Sequence, residues 1–403
     1  MTLPPLPVLD VVPRIGGLTL PREVALYTCG ITPYDATHLG HAHTYLTFDH
    51  LVRILTVTGG HVRHVQNVTD VDDPLLERAA ATGVDWRELA ASQVELFAAD
   101  MAALRILPPD AWVGVVESIP LVVDAVARLL TAGAAYRLPA SGDVYAAVEE
   151  DTSFHERLPV PAGDAVALFA ERGGDPERPG KRSPLDPLLW RAERPGEPAW
   201  EGGPLGRGRP GWHIECAAIA AHHLGGAPTI TGGGSDLAFP HHHMSASHLR
   251  ALGHGEGVLT MHAGMVSLDG EKMSKSRGNL EFVSRLLAGG ADPEALRLAL
   301  AGHHWRSDWE WHPADIEAAR GRLDRWRAAA HATRPAGSGS PLARSIATAL
   351  ADDLDSPSAL AAVDAWAGRV LAGDDEALSD AHAVAAVDAL LGVDLQDRPR
   401  RRR

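Results

Sequence analysis

With 403 residues, 45% hydrophobic and 22% charged, the chain has room for two or three domains and a core that needs no disulfide staples. A net charge of −15 argues against a protein that depends on phosphate-backbone contacts, although a local basic patch can override it. No apolar run is long enough to span a bilayer, and Met1-Thr2-Leu3-Pro4 opens neither a basic nor an apolar leader, so the expected location is cytoplasmic and no membrane partner is expected.

Residues 24–28 read as the first strand, ending at Cys29-Gly30, with a turn-rich stretch through Pro33 and Asp35 behind it. An amphipathic helix is predicted from 40 to about 58, a second strand over 61–68, and helices over 74–81 and 86–104. Strands alternating with helices of this length point to βαβ units and a parallel sheet, whose first βα turn is a nucleotide site. From 108 to 187 the texture changes to a helix at 119–132 followed by Gly, Pro and Arg, and this segment reads as an inserted subdomain. The α/β pattern resumes with a helix at 214–224, a strand at 229–231 and Gly232-Gly233-Gly234-Ser235-Asp236. The division expected is therefore a split nucleotide-binding domain over 1–107 and 188–291, the insertion over 108–187, and a helical region over 292–403. That last region has a Gly/Ser/Pro linker at 334–341, about three Ala-rich helices, and a solvated basic tail at Arg398 and 400–403. No heptad suggests a dimer, so a monomer is expected.

His38-Leu39-Gly40-His41 stands where a strand end meets a helix start, and free N–H groups with the helix dipole attract phosphate there. Taken alone it is a weak signal, and a pair of surface histidines is the plainer reading. The chain has three lysines, Lys181, Lys272 and Lys275, and two of them fall within Lys272-Met273-Ser274-Lys275-Ser276. In a sequence that otherwise uses Arg, this marks positions where a compact ammonium is required, as at a phosphate undergoing attack. Only two cysteines occur, Cys29 and Cys216, which excludes a disulfide framework. Lone cysteines are by default inert core residues. Here both flank the nucleotide site, and with His241 they make a Cys₂His set that suits zinc and leaves one position open for a thiolate.

The histidine pair, the Gly234-Ser235-Asp236 segment and the lysine stretch occur in the order of the class I aminoacyl-tRNA synthetase signatures. The sequence resembles cysteinyl-tRNA synthetases and, more closely, the related family that ligates L-cysteine to glucosaminyl-inositol in mycothiol biosynthesis. The resemblance runs through Cys29-Gly30-Ile31-Thr32-Pro33-Tyr34-Asp35, Gln66-Asn67-Val68-Thr69-Asp70, Gly211-Trp212-His213-Ile214-Glu215-Cys216 and Phe239-Pro240-His241-His242. It implies a Rossmann-like α/β catalytic domain of class I synthetase type, with an inserted subdomain and a short α-helical C-terminal region.

It further implies zinc held by Cys29, Cys216 and His241. Gly30, Ile31, Thr32, Thr44, Asn67, Val68, Thr69 and Trp212 would line the cysteine and adenylate pocket. Gly234, Ser235 and Asp236 would hold the ribose, and the Val266 backbone would meet adenine. His38, His41, Lys272 and Lys275 would stabilise attack on the α-phosphate of ATP, with Mg²⁺ accompanying the nucleotide.

Three features favour the aminosugar ligase over a tRNA-dependent enzyme. Residues 171–176 (ERGGDP) match a ligase signature, and the region beyond the lysine stretch is only roughly 125 residues and acidic. Ser245 stands where the synthetases carry a further Glu ligand. His243 replaces a Glu usual to both families, and is expected not to ligate.

Overall fold

The computed structural model describes residues 3–273, 280–334, 336 and 339–396. A short hairpin, β1 (Arg14–Ile15) with β2 (Leu18–Thr19), leads into β3 (Glu23–Thr28). Helix α1 (Leu39–Val57) starts where His38 Nδ1 accepts from the Gly40 N–H at 3.1 Å, which satisfies one of the donors a helix start leaves free. It is buried nearly all round, as a helix between two layers must be. Next come β4 (His61–Val68), α2 (Asp73–Thr82), α3 (Trp86–Ala103) and β5 (Ala111–Gly114). Helix α4 (Val115–Thr131) begins four residues before the predicted start. Glu117 accepts the Gly114 N–H at 2.9 Å and closes a capping turn that tolerates Pro120 just behind it.

The chain then builds an antiparallel sheet from β6 (Ala135–Arg137), β7 (Val144–Ala146), β8 (Leu188–Ala192) and β9 (Gly208–Pro210), in that order, with α5 (Ala162–Glu171) between β7 and β8. Helix α6 (Trp212–Leu224), β10 (Ile230–Gly234), α7 (His243–Ala251) and β11 (Leu259–Ala263) follow. The main sheet is parallel, ordered β11-β10-β3-β4-β5. Strand β5 belongs to this sheet, whereas β8 and β9 belong to the antiparallel one. The two sheets therefore do not divide at 108 and 187 as their composition suggests. From β3 the order runs one way to β4 and β5 and the other way to β10 and β11. That makes the carboxyl ends of β3 and β10 the switch point at which such sheets bind ligands.

A three-stranded sheet, β13-β12-β14, comprises β12 (Val266–Leu268), β13 (Glu271–Lys272) and β14 (Trp309–Glu310), with α8 (Val283–Ala288) and α9 (Pro293–Ala301) intervening. Helix α10 (Pro313–Ala332) precedes α11 (Pro341–Ala351), α12 (Ser356–Leu371), α13 (Asp375–Leu378) and α14 (Ala383–Leu391). Four helices thus follow the linker rather than three, because Asp374 caps a separate short turn through the Ala377 N–H at 3.0 Å.

These helices share one apolar cluster with β3 and α1, including Leu26, Leu51, Ile346 and Leu390. Buried polar groups lock the same junction. Arg53 Nε donates to Asp49 at 2.7 Å, Arg297 pairs with that carboxylate too, and Arg53 Nη1 donates to the Asp388 and Ala389 carbonyls at 2.9 and 3.1 Å. Burial pushes the Asp49 carboxyl up, but Arg297 and Arg53 outweigh it and hold the group well below the usual carboxylate range.

Candidate active site and metal centre

Cys29 leaves the end of β3, pinned by its N–H to the Gly232 carbonyl at 2.9 Å, and Tyr45 donates to its own carbonyl at 3.1 Å. Cys216 projects from the second turn of α6, and His241 from the kinked turn between β10 and α7. The two sulfurs lie 3.9 Å apart and His241 Nε2 lies 3.2 Å from the Cys216 sulfur. All three ligand atoms fall within 4.8 Å of one another, and among the described residues this is the one such group. The His241 ring stacks on Trp212 with centroids 4.4 Å apart, and its Nδ1 meets Nδ1 of His213 at 3.0 Å. If Nε2 offers its lone pair to a metal, Nδ1 carries the proton and His213 accepts it.

Burial holds His241 well below its usual range and His213 down to about 3, so both rings are neutral. A hydrogen bond to Cys216, then burial, pushes the Cys29 thiol up. Two protonated thiols packed beside a neutral imidazole are a poor arrangement for a core and a good one for a thiophilic cation, which displaces the protons.

His243 lies outside the group. Its ring packs 4.5 Å from Phe154 and 5.9 Å from Phe239, on the far side of the turn. Ser245 Oγ donates to the His213 carbonyl at 3.0 Å, beneath the ligand set rather than in it.

Beside the sulfurs, the ends of β3 and β4 form a hydrogen-bonded platform. The Gly30 N–H donates to Asn67 Oδ1 at 2.9 Å, Asn67 Nδ2 donates to Thr69 Oγ1 at 3.1 Å, and the Thr69 N–H donates to the Ile31 carbonyl at 3.0 Å. A Cβ on Gly30 would stand 1.6 Å from the Asn67 carbonyl oxygen, so only glycine permits this approach. The platform thus unites Gly30, Ile31, Asn67, Val68 and Thr69. The Thr32 carbonyl turns back to the Tyr34 N–H at 2.9 Å.

Across the crevice, Thr44 Oγ1 donates to the Gly40 carbonyl at 3.0 Å, and a Cβ on Gly234 would lie 3.9 Å from that hydroxyl. The first turns of α1 therefore face the end of β10, where Gly234 opens the single turn Ser235–Leu237. The His38 and His41 rings stack at 3.8 Å. The Leu39 N–H donates to the Glu281 carbonyl, and the Val283 N–H to the Thr37 carbonyl, both at 3.0 Å, which ties the segment after the lysine stretch to the histidine pair. Val266 is buried in β12, and the Lys272 backbone pairs with Ser267 in β13. Lys275 lies outside the described residues, as does the basic tail.

The catalytic-domain family of class I (C) tRNA synthetases matches residues 18–321. An L-cysteine:1D-myo-inositol 2-amino-2-deoxy-alpha-D-glucopyranoside ligase of Xylanimonas cellulosilytica is 58% identical over 371 residues, covering 92% of this chain and 90% of that one. The ligase of that name from Streptomyces coelicolor is 57% identical over 387 residues, covering 94% and 93%. The chain belongs to this ligase family. Solved structures carry the likeness further out, at the level of fold alone. Methionyl-tRNA synthetase of Mycobacterium tuberculosis bound to methionyl-adenylate superposes with a TM-score of 0.61 at 15% identity, covering 91% of this chain and 89% of that one. A putative arginyl-tRNA synthetase of Campylobacter jejuni gives 0.61 at 12%, covering 93% and 94%.

Three neighbours of the ligase-family centre escaped the sequence reading. His242 Nε2 lies 3.2 Å from the Cys29 sulfur, and its Nδ1 lies 2.8 Å from Nε2 of His262. The signal for His262 was its strand register, since β11 sets it opposite Gly233 of β10. Glu215 is fully buried next to Cys216, and burial pushes its carboxyl well above the usual range, which keeps it neutral. The 171–176 segment also acquires a definite task. Arg172 donates to the carbonyls of both Asp236 and Phe239, and Asp175 pairs with Lys181 at 3.1 Å and with the Tyr145 hydroxyl. It braces the turn that carries Asp236 and His241 from outside.

Proposed function

We propose that the chain couples ATP to the ligation of L-cysteine with the amine of glucosaminyl-inositol, through a cysteinyl-adenylate, with release of pyrophosphate and AMP. The observation that carries this reading is the buried Cys29–Cys216–His241 group at the switch point of a chain 58% identical to such ligases. A tight set of two sulfurs and one imidazole suits Zn²⁺ over harder cations. Zinc bound there would supply a thiophilic anchor for the substrate sulfur, which serine's hydroxyl cannot use.

The remaining tasks fall to this chain's residues. Thr32, Thr44, Asn67, Val68, Thr69 and Trp212, with the Gly30–Ile31 backbone, enclose the amino acid and its adenylate. Asp236, presented by Gly234 and Ser235, accepts from the ribose hydroxyls, and the Val266 backbone meets adenine. His38 and His41 at the start of α1, with Lys272 and Lys275, hold charge against the α-phosphate as the cysteine carboxylate attacks in line and pyrophosphate departs. Mg²⁺ accompanies ATP. The aminosugar nitrogen, as the free base, then adds to the activated carbonyl, and the amide forms as AMP leaves.

We read the chain as a cytoplasmic monomer that acts on small molecules and takes no nucleic acid. No described helix is long and apolar enough to cross a membrane. The division into a split catalytic domain, an inserted subdomain and a C-terminal helical region belongs to the same reading.

The test is AMP release by zinc-loaded protein given ATP and cysteine, with glucosaminyl-inositol or tRNA as acceptor. Turnover with the aminosugar and none with tRNA is expected. Turnover with tRNA alone would overturn the assignment in favour of a cysteinyl-tRNA synthetase.

A further inference from the structure

The two faces of β4 lead to different places. Val65 packs with Cys216 and Ile219 of α6, whereas Gln66 faces α1 and α3 on the other side of the sheet. There a cavity of about 300 Å³ is walled by Phe48, Phe97, Met101, Ile106 and Trp112. That is the lower end of the size range of small-molecule sites. Gln66 and Trp112 are register partners across β4 and β5, so their side chains stand next to each other on one wall. Gln66 is 4% exposed, and neither its Nε2 nor Trp112 Nε1 has a hydrogen-bond partner in the protein.

A buried donor left without an acceptor costs about 1–3 kcal/mol, and native proteins hold few of them. Two side by side, lining one apolar cavity, form a recognition pattern: apolar walls for bulk and a pair of convergent donors for orientation. A carbonyl oxygen has two lone pairs and can accept from both. An ionised ligand would lose its hydration against these walls, and the one carboxylate on the lining, Asp49, is already committed to Arg53 and Arg297.

The same walls touch the strand end that carries the metal ligand. Tyr45 lines the cavity and donates to the Cys29 carbonyl at 3.1 Å. His64, also on the lining, meets the Thr28 hydroxyl at 2.8 Å. Gln66 is followed directly by Asn67, whose side chain accepts the Gly30 N–H at 2.9 Å. Residues 28, 29 and 30 are thus each held by a lining residue or by its immediate neighbour.

We propose that this cavity is a regulatory site for a neutral, planar, mostly apolar molecule bearing one carbonyl oxygen, which accepts from Gln66 and Trp112 and alters cysteine activation through residues 28–30. The effect on activation rests on the function proposed above; the binding does not.

Quinolin-2-one, a flat neutral lactam, is the probe, titrated calorimetrically into the zinc-loaded full chain without substrates. One saturable site of sub-millimolar affinity is expected. Gln66→Met keeps the bulk and removes the donor, and should weaken the lactam about tenfold while leaving naphthalene binding unchanged. Ala98→Trp, on the lining but outside the proposed catalytic machinery, fills the space and should abolish binding of both probes. Saturating lactam should change cysteine-dependent ATP–pyrophosphate exchange at least twofold in the native chain and leave Ala98→Trp unaffected.

No binding up to about 1 mM overturns the site, and so does undiminished binding to Ala98→Trp. Equal lactam affinity in Gln66→Met overturns the donor assignment. Binding with unchanged exchange overturns the regulation. Absence of exchange in the native chain without any probe would instead sink the activity proposed above, and the calorimetric result would stand apart from it.

Discussion

A buried thiol is an ordinary small hydrophobe until a second sulfur and an imidazole are brought beside it. Cys29, Cys216 and His241 are brought together in that way, and His213 fixes the tautomer of the ligating ring. Cys216→Ser keeps the volume but exchanges a soft donor for a hard one. Zinc content should fall from near one per chain to a small fraction, by elemental analysis, and cysteine-dependent exchange should fall at least 100-fold, roughly the upper range for disturbing a metal shell. His213→Ala should lower metal affinity about 10- to 100-fold, read by competition with a chromogenic chelator, while the apo protein stays folded. The ligand set was legible in the sequence because cysteine is so scarce that both copies had to be considered. His242 was not. Three consecutive histidines look alike on paper, and which one faces the sulfurs is decided by the kink at Phe239, whose φ of −139° and ψ of 137° re-aim the rings behind it.

Segments show a similar split between what local chemistry fixes and what only packing reveals. The strand at His61–Val68 and the helix ends near Val57 and Leu224 could be read from periodicity and turn residues, since each depends on neighbours a few positions away. The role of Arg172 could not, because its acceptors lie 64 and 67 positions further on. By composition alone the 171–176 stretch was a turn, and the family likeness gave it no mechanical role. Arg172→Leu strips the brace from the Asp236 and Phe239 carbonyls, and should cost about 1–3 kcal/mol in urea unfolding. Because Asp236 rides on that turn, KM for ATP should rise several-fold with a smaller change in kcat. An equal fall in both kinetic constants would assign Arg172 to the chemistry itself.

Across the whole molecule, the C-terminal helices are welded to the catalytic sheet by Asp49, Arg53 and Arg297. Charge and helical periodicity could not reveal this, since the partners of Arg53 lie 335 and 336 positions away. Asp49→Asn leaves two guanidinium groups buried with one neutral acceptor, and should destabilise the fold by about 3–5 kcal/mol in denaturant titration. His50 sits beside this network. Burial, then Arg297, lowers its imidazole to about 3. The unfolded chain therefore takes up a proton below about 6.5 that the folded one refuses until far lower pH, so His50 withdraws stability as pH falls through that window. His50→Leu should reduce the slope of unfolding free energy against pH near pH 5 by about 1.4 kcal/mol per unit, one proton's worth.

The two sulfurs of the metal group are separated by 187 positions in the chain and 3.9 Å in space. A cation gripping both is therefore a clasp between the two halves of the parallel sheet, and the unfolded chain presents no comparable grip. By mass action, each tenfold rise in free metal above its dissociation constant would add about 1.4 kcal/mol to folding. The melting temperature of this enzyme thus becomes a gauge of the metal supply of the cell that makes it. Under starvation for that cation, loss of activity and loss of the protein itself would arrive together.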